Sequence, residues 1–169
     1  ILQELSFRSD YKEVLDVLNL QLVQYGIPVI RRRKQFTEEL DEITRTIHGQ
    51  LSGGREQLIL GYENNAEEDA FSDLIQKNME RDIHQKTTTT GPHRDDLSFM
   101  VNGVDIRKFG SQGQQRTAAL SLKLSEIEIL KKITGDAPVL LLDDVLSELD
   151  SSRQNYLLNS IQNVQTLIT

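Results

Sequence analysis

The first chemistry in this sequence lies in two acids at the end of an apolar run. Val139, Leu140, Leu141 and Leu142 lead without interruption into Asp143 and Asp144. Pro138 bounds the run on one side and charge bounds it on the other, which predicts a short strand buried on both faces. In open α/β sheets, ligands gather beyond the carboxyl ends of such strands. One carboxylate placed there can hold Mg²⁺, which takes oxygen ligands and keeps several waters. Its neighbour can orient or deprotonate a water. The plain alternative is that the two acids only end a strand and begin a loop.

A second candidate is Ser111-Gln112-Gly113-Gln114-Gln115. Ser111 with Gln114 three residues later is a capping-box pattern. The helix it opens would present free backbone N–H groups and a favourable dipole to an anion. Gly113 would let that anion come close. An ordinary capped helix is the plain alternative here. The order of features favours chemistry: glycine-containing cap, long helix, proline, buried strand, acid pair, then Ser147-Glu148-Leu149-Asp150.

The elements that must position these residues follow from periodicity. Leu120, Leu124, Ile127 and Leu130, widened by Leu122, Ile129 and Ile133, predict a helix from Gln114 to Lys132, ended by Gly135 and Pro138. At 1.5 Å per residue it would be roughly 28 Å long. Asp150 or Ser151 caps another helix, with Leu157, Ile161 and Val164 on one face, and Gln165 to Thr169 begins a strand. Upstream, residues 1 to about 25 read as a helix through Tyr11, Val14, Leu15, Leu18 and Leu22, closed by Gly26 and Pro28. A second helix is expected from about Val29 to His48 through Ile30, Phe36, Leu40, Ile43 and Ile47. Arg31-Arg32-Arg33-Lys34 sits near its start, where helix dipole and positive charge oppose each other. That run could meet phosphate, although a solvated helix face is the commoner fate of a short charge run.

Leu51-Ser52-Gly53-Gly54 has the letters of a phosphate-contacting signature, but it lies far upstream of Asp143 and precedes an alternating run, Gln57 to Tyr62. It reads as a turn feeding a strand. Glu67 to Arg81 returns to helical spacing. Thr87 to Thr90 suit an extended segment, and Gly91-Pro92-His93-Arg94-Asp95-Asp96 follows as a charged turn with an internal Arg–Asp pair as its plain reading. Leu97 to Val101 with Asn102-Gly103 then predicts a strand and hairpin turn. His93-Arg94-Asp95 has the letters of a kinase catalytic loop, but no DFG follows and no glycine-rich loop precedes it.

Composition narrows the classes. The chain has 169 residues, 37% of them hydrophobic and 27% charged, about one domain's worth. No stretch approaches the length of a membrane span. Zero cysteines exclude disulfides and thiolate metal sites and fit a cytoplasmic setting. His48, His84 and His93 show no zinc spacing. A net charge of −7 argues against a generally basic nucleic-acid surface, so any DNA contact is expected to be local or made together with partners. The start at Ile-Leu-Gln-Glu-Leu has neither an initiator Met nor a secretory pattern, and a piece of a longer protein is expected.

Three stretches together, RDIHQKTTTTGPHRDDLSF, FGSQGQQRTAALSLKLSEIEIL and PVLLLDDVLSELDSSR, resemble the C-terminal part of the RecF family, bacterial recombination-repair ATPases of the ABC/SMC class. QLVQYGIPVIRRRKQF and LSGGREQLILGY resemble it more weakly, so the resemblance covers nearly the whole chain. It implies an α/β fold: a helical lobe over 1–55, then over 56–169 the signature-helix and Walker B portion of an ABC-type ATPase head. It assigns Asp143 to the Walker B position, holding Mg²⁺ directly or through water. Asp144 takes the place of the usual catalytic Glu, and its shorter reach implies slow hydrolysis. Ser111, Gln112, Gly113, Gln114 and Gln115 take the ABC signature, which meets the γ-phosphate of ATP bound to the other subunit, although SQGQQ departs from the usual SGGQ. Ser147 to Asp150 match the D-loop at the dimer interface, with Ser147 and Asp150 as its polar ends. His93, Arg94, Arg31, Arg32 and Arg33 are candidates for DNA or interface contact.

The parent function so implied is ATP-dependent dimerisation on DNA, at gaps or single-strand/double-strand junctions, helping RecR and RecO load RecA. No G-x-x-x-x-G-K-[ST] occurs anywhere in the sequence. The family carries it before the region represented here, and its switch residue just past Thr169. The chain is therefore expected to hold one half of a composite ATP site and not to hydrolyse ATP alone. Two rivals remain. One is a partner-docking module whose ATPase motifs sit idle. The other is the nucleotide-binding domain of a transporter, against which GPHRDD, the long helix and the lack of a membrane-facing apolar segment all count.

Overall fold

The computed structural model describes residues 11–169, so the part of the first expected helix before Tyr11 lies outside the described residues. The first element is a helix, α1, that runs unbroken from Tyr11 to Leu51. Gly26 and Pro28 were expected to end it and do not. Pro28 removes one N–H bond to Gln24, and glycine and proline together cost a helix interior about 4 kcal/mol relative to alanine. Tertiary packing overrides that cost. A Cβ on Gly26 would lie 2.5 Å from the Phe71 ring, so glycine here permits close approach of a buried aromatic. Ile30, Ala66, Phe71 and Ile75 form the core around it. Continuity of α1 also moves Arg31 to Arg33 into mid-helix, which removes the dipole argument attached to them.

Gly53 and Gly54, both at positive φ, turn the chain as expected into strand β1, Leu58–Glu63. Leu58 and Leu60 point inward and Ile59 outward. Helix α2 follows at Phe71–Gln85. Thr87 to Thr90 form no strand. Their hydroxyl and amide groups bond instead to α2: Thr89 N–H and Oγ1 reach Asp82 at 3.0 and 2.6 Å, and Asn78 donates to Thr90 Oγ1 at 2.8 Å. A 3₁₀ turn at Pro92–Arg94 leads to β2, Asp96–Val101. Asn102 and Gly103, at φ 50° and 81°, then make the hairpin to β3, Val104–Asp105. The order in this sheet is β1-β2-β3.

A short helix α3, Ile106–Phe109, leads to the long helix α4, Gln112–Thr134, closed by Gly135 at φ 79°. Strand β4, Leu140–Leu142, ends at the acid pair. A 3₁₀ turn at Leu146–Glu148 and helix α5, Ser151–Ser160, return the chain to β5, Thr166–Ile168, which pairs parallel to β4. Asp150, not Ser151, caps α5. The expected burial of β4 on both faces does not hold. Leu140 and Leu142 are buried, whereas Val139 and Leu141 are exposed. One face packs on Leu120, Leu124, Ile127, Leu157 and Ile161, and the other has no covering layer among the described residues.

Leu130 and Ile133, expected on the apolar stripe of α4, are likewise exposed. Thr117, Ser121 and Ser125 are buried instead, each hydroxyl donating to the carbonyl four residues back at 2.7 Å. By contacts the chain divides into two compact units. One takes in the chain up to Phe36 and Tyr62–Leu97; the other comprises Thr37–Gly61 and Ser98–Thr169. The mixed α/β class is as expected from the sequence.

Candidate functional site

Local chemistry builds the first half of the site at the start of α4. Ser111 is the N-cap, and its Oγ accepts from Gln114 N–H at 3.2 Å. The Gln114 side chain reciprocates, its Oε1 accepting from Ser111 N–H at 3.0 Å. Gln115 N–H bonds to Ser111 C=O at 3.0 Å. A helix leaves its first N–H groups without helical partners. The capping box takes up those of Ser111 and Gln114, which leaves Gln112 and Gly113 to meet an incoming anion. Ser111 Oγ accepts in the cap, so its own hydroxyl proton remains available as a donor. Nothing in the fold demands glycine at 113: its φ is ordinary, and an added Cβ would meet nothing closer than Ser111 Oγ at 4.0 Å. Ser111, Gln112, Gly113 and Gln115 are exposed and Gln114 is half-buried.

Behind this cap runs a polar chain that the sequence did not reveal. Gln114 Nε2 donates to Glu56 Oε1 at 3.2 Å. Glu56 Oε2 lies 3.2 Å from His48 Nε2. His48 Nδ1 lies 3.0 Å from Ser121 Oγ, back on α4. The His48 ring is fully buried, and that burial lowers its affinity for a proton, while neighbouring Glu56 pulls the other way. A neutral ring that donates through Nε2–H to the Glu56 carboxylate leaves Nδ1 as an acceptor, and the single Ser121 proton then turns to it from the Thr117 carbonyl. No local pattern marks this chain in the sequence: Glu56 and Gln114 are 58 residues apart.

The second half of the site is the loop after β4. Asp143 and Asp144 are both exposed. Thr169 Oγ1, just past β5, donates to Asp143 Oδ1. Asp144 adopts a left-handed backbone, φ 53°, a conformation that asparagine and aspartate tolerate better than most side chains. Ser147 Oγ lies 2.9 Å from the Asp144 carbonyl oxygen and 2.7 Å from its Oδ1, so one hydroxyl braces backbone and carboxylate together. Asp150 caps α5 by accepting from Arg153 N–H at 3.0 Å and also pairs with the Arg153 guanidinium at 3.0 Å. That backbone bond, aided by the guanidinium, holds its carboxyl below the usual range. Among the described residues no group of three or more His, Asp or Glu is gathered to hold a metal by itself. The acid pair nonetheless fits Mg²⁺, which is bound through one or two carboxylates with phosphate and water completing its shell.

The remaining candidates are engaged within the chain. His93 Nε2 lies 2.9 Å from Thr88 C=O, and Arg94 donates to that carbonyl at 3.1 and 3.2 Å and to Thr87 Oγ1 at 3.1 Å. The expected Arg–Asp pair within the turn is replaced by partners from elsewhere. Asp95 accepts from Tyr62 O–H and from Asn65 N–H at 2.8 Å, and Arg33 approaches it at 3.6 Å. Burial and the Asp95 hydrogen bond push the Tyr62 hydroxyl up to about 12. Arg33 also donates to Pro92 C=O, Arg31 pairs with Glu68 at 2.7 Å, and Arg32 reaches Gln35 at 3.4 Å. No helix among the described residues is long and apolar enough to cross a membrane.

No family model matches the chain. Curated relatives do, over its whole length. The chain is 56% identical over 169 residues to the DNA replication and repair protein RecF of Agathobacter rectalis, and 51% identical to that of Lachnoclostridium phytofermentans. In both cases all of this chain is covered and 47% of the relative, so the chain spans about half the length of the curated relatives it matches. Solved structures described as the recombination mediator protein RecF-ATP and RecF-ATPrS in the RecFOR pathway superpose with TM-scores of 0.87 and 0.86. Both are 36% identical to this chain and cover 99% of it and 47% of their own length.

Proposed function

Because this chain belongs to the RecF family of DNA replication and repair proteins, we propose that it contributes the signature and Walker B half of an ATP site completed by a second subunit. In this reading residues 1–55 form a helical lobe and 56–169 the C-terminal part of an ABC-type ATPase core. ATP, with Mg²⁺, supplies the γ-phosphate whose presence distinguishes the joined from the separated state. The Ser111 hydroxyl and the N–H groups of Gln112 and Gly113 receive that phosphate from the partner subunit's nucleotide, in the positive field of the α4 N-terminus. Asp143 holds the metal. Asp144, braced by Ser147, orients the water, and its short side chain makes hydrolysis slow. Ser147 to Asp150 line the subunit junction.

The observation that carries this reading is the cap of α4. It is fully formed, yet it keeps one hydroxyl proton, two N–H groups and an unobstructed glycine turned outward. The solved relatives named for ATP and for the RecFOR pathway support RecR and DNA as partners, and the proposal extends the DNA to gaps or single-strand/double-strand junctions. Ser111→Arg in the full-length protein tests it by filling the anion site. ATP-dependent dimerisation, followed by sedimentation velocity, is expected to disappear while the monomer still binds nucleotide. Dimerisation that survives the change removes the signature role of 111–115.

A further inference from the structure

We infer that Glu56 is a positioning residue for the phosphate-facing end of α4, acting through Gln114 and anchored on buried His48; this rests on the composite-site reading above. The Gln114 amide has two tasks. Its oxygen accepts from Ser111 N–H at 3.0 Å, and its nitrogen donates to Glu56 Oε1 at 3.2 Å. An amide is nearly symmetric in shape, so packing alone does not choose its orientation. Flipped, it would set N–H against the Ser111 N–H and oxygen against the Glu56 carboxylate. A carboxylate, which only accepts, forbids that state and keeps the cap closed on the correct side.

Glu56 is itself fixed at both ends. Its backbone N–H donates to Ser52 Oγ at 3.3 Å, and its Oε2 meets His48 Nε2 at 3.2 Å. His48 is wholly buried and held at Nδ1 by Ser121. The hydrogen-bonded path therefore leaves α4 at Gln114 and returns to it at Ser121. The outward cap is thereby referenced to the buried face of the same helix. Preorganised donors act on a developing contact without having to rearrange at that moment. That is what a phosphate arriving on a second subunit requires.

Glu56→Leu and Glu56→Gln in the full-length protein test the role, with a non-hydrolysable ATP analogue titrated during sedimentation velocity. Glu56→Leu is expected to weaken nucleotide-dependent dimerisation about tenfold, because Gln114 Nε2–H and His48 Nε2–H both lose their acceptor, with monomer nucleotide binding intact. Glu56→Gln is expected to restore it to within about twofold of the parent, because the substituted amide can accept from Gln114 and donate to His48 Nε2. The imidazole proton then moves to Nδ1, a shift read by ¹⁵N NMR of His48. If Glu56→Leu does not fold, Gln114→Glu replaces it. Two facing carboxylates should weaken dimerisation, and adding Glu56→Gln should restore it. Unchanged dimerisation in Glu56→Leu, or no recovery in the paired variants, overturns the positioning role while Ser111→Arg still abolishes the dimer. If Ser111→Arg is also silent, the composite site itself has failed.

Discussion

The turn at 91–96 and the cap at 111–115 are equally dense in polar residues, but they spend their hydrogen bonds in opposite directions. In the turn the bonds close inward. The Asp95 side chain is 1% exposed and accepts from Tyr62 and Asn65 with Arg33 nearby, while His93 and Arg94 clasp the Thr88 carbonyl. In the cap, two donors and two acceptors are satisfied by the capping box, and what remains points outward beside a glycine that no packing requires. Motif density does not separate an architectural segment from a working one. Where the hydrogen-bonding capacity goes does.

The sharpest way to break this comparison is at its buried end. Asp95→Leu leaves the Tyr62 hydroxyl and the Asn65 N–H without this acceptor and takes the carboxylate away from Arg33. Removing one partner of such a buried charged network costs about 3 kcal/mol. The expected result is a matching fall in unfolding free energy from urea titration of the full-length protein. Nucleotide-dependent dimerisation of the folded fraction should be unchanged. A variant that is stable but no longer dimerises would put the turn among the working segments.

Gly113→Ala tests the other end, and there stability and function should part. Alanine is favoured over glycine in helices by up to about 1 kcal/mol, and the site has room for a Cβ. The urea midpoint should hold or rise slightly. Nucleotide-dependent dimerisation should fall about tenfold, as expected for loss of one good contact at the phosphate. Equal dimerisation by the two proteins would show that the glycine is incidental.

The difference between the two segments also marks what a sequence can reveal. The cap of α4 was legible because it is made by residues three apart, and the hairpin at Asn102-Gly103 because its dihedrals are local. Strands β4 and β5 each showed as a short apolar run on either side of a helix, but their parallel pairing comes from the structure. The continuity of α1 was not legible. It depends on the Phe71 ring, 45 positions further along the chain, lying against Gly26 and outweighing a proline. The exposure of Leu130, Val139 and Leu141 was missed for the same reason: periodicity names an apolar face, but only packing shows whether something covers it. The partners of Asp95 and the path through Glu56 and His48 are long-range pairings of common residue types, which leave no spacing to recognise.

The smallest expected effect comes from the basic run, and it sharpens the comparison within a single helix. Arg33 joins the buried acid of the inward-closing turn, whereas Arg31 is mostly exposed and pairs with Glu68 at the surface. Exposed pairs contribute about 0–1 kcal/mol, because water screens the charges and ordering two long side chains costs entropy. Arg31→Ala should therefore shift the unfolding free energy by less than about 0.5 kcal/mol. If the run is only a solvated face, DNA affinity measured against salt should keep its slope. A log–log slope reduced by about one would mean that Arg31 neutralises a phosphate. Arg31 would then exchange Glu68 for the nucleic acid, and a segment that closes inward at Arg33 would open outward two residues earlier.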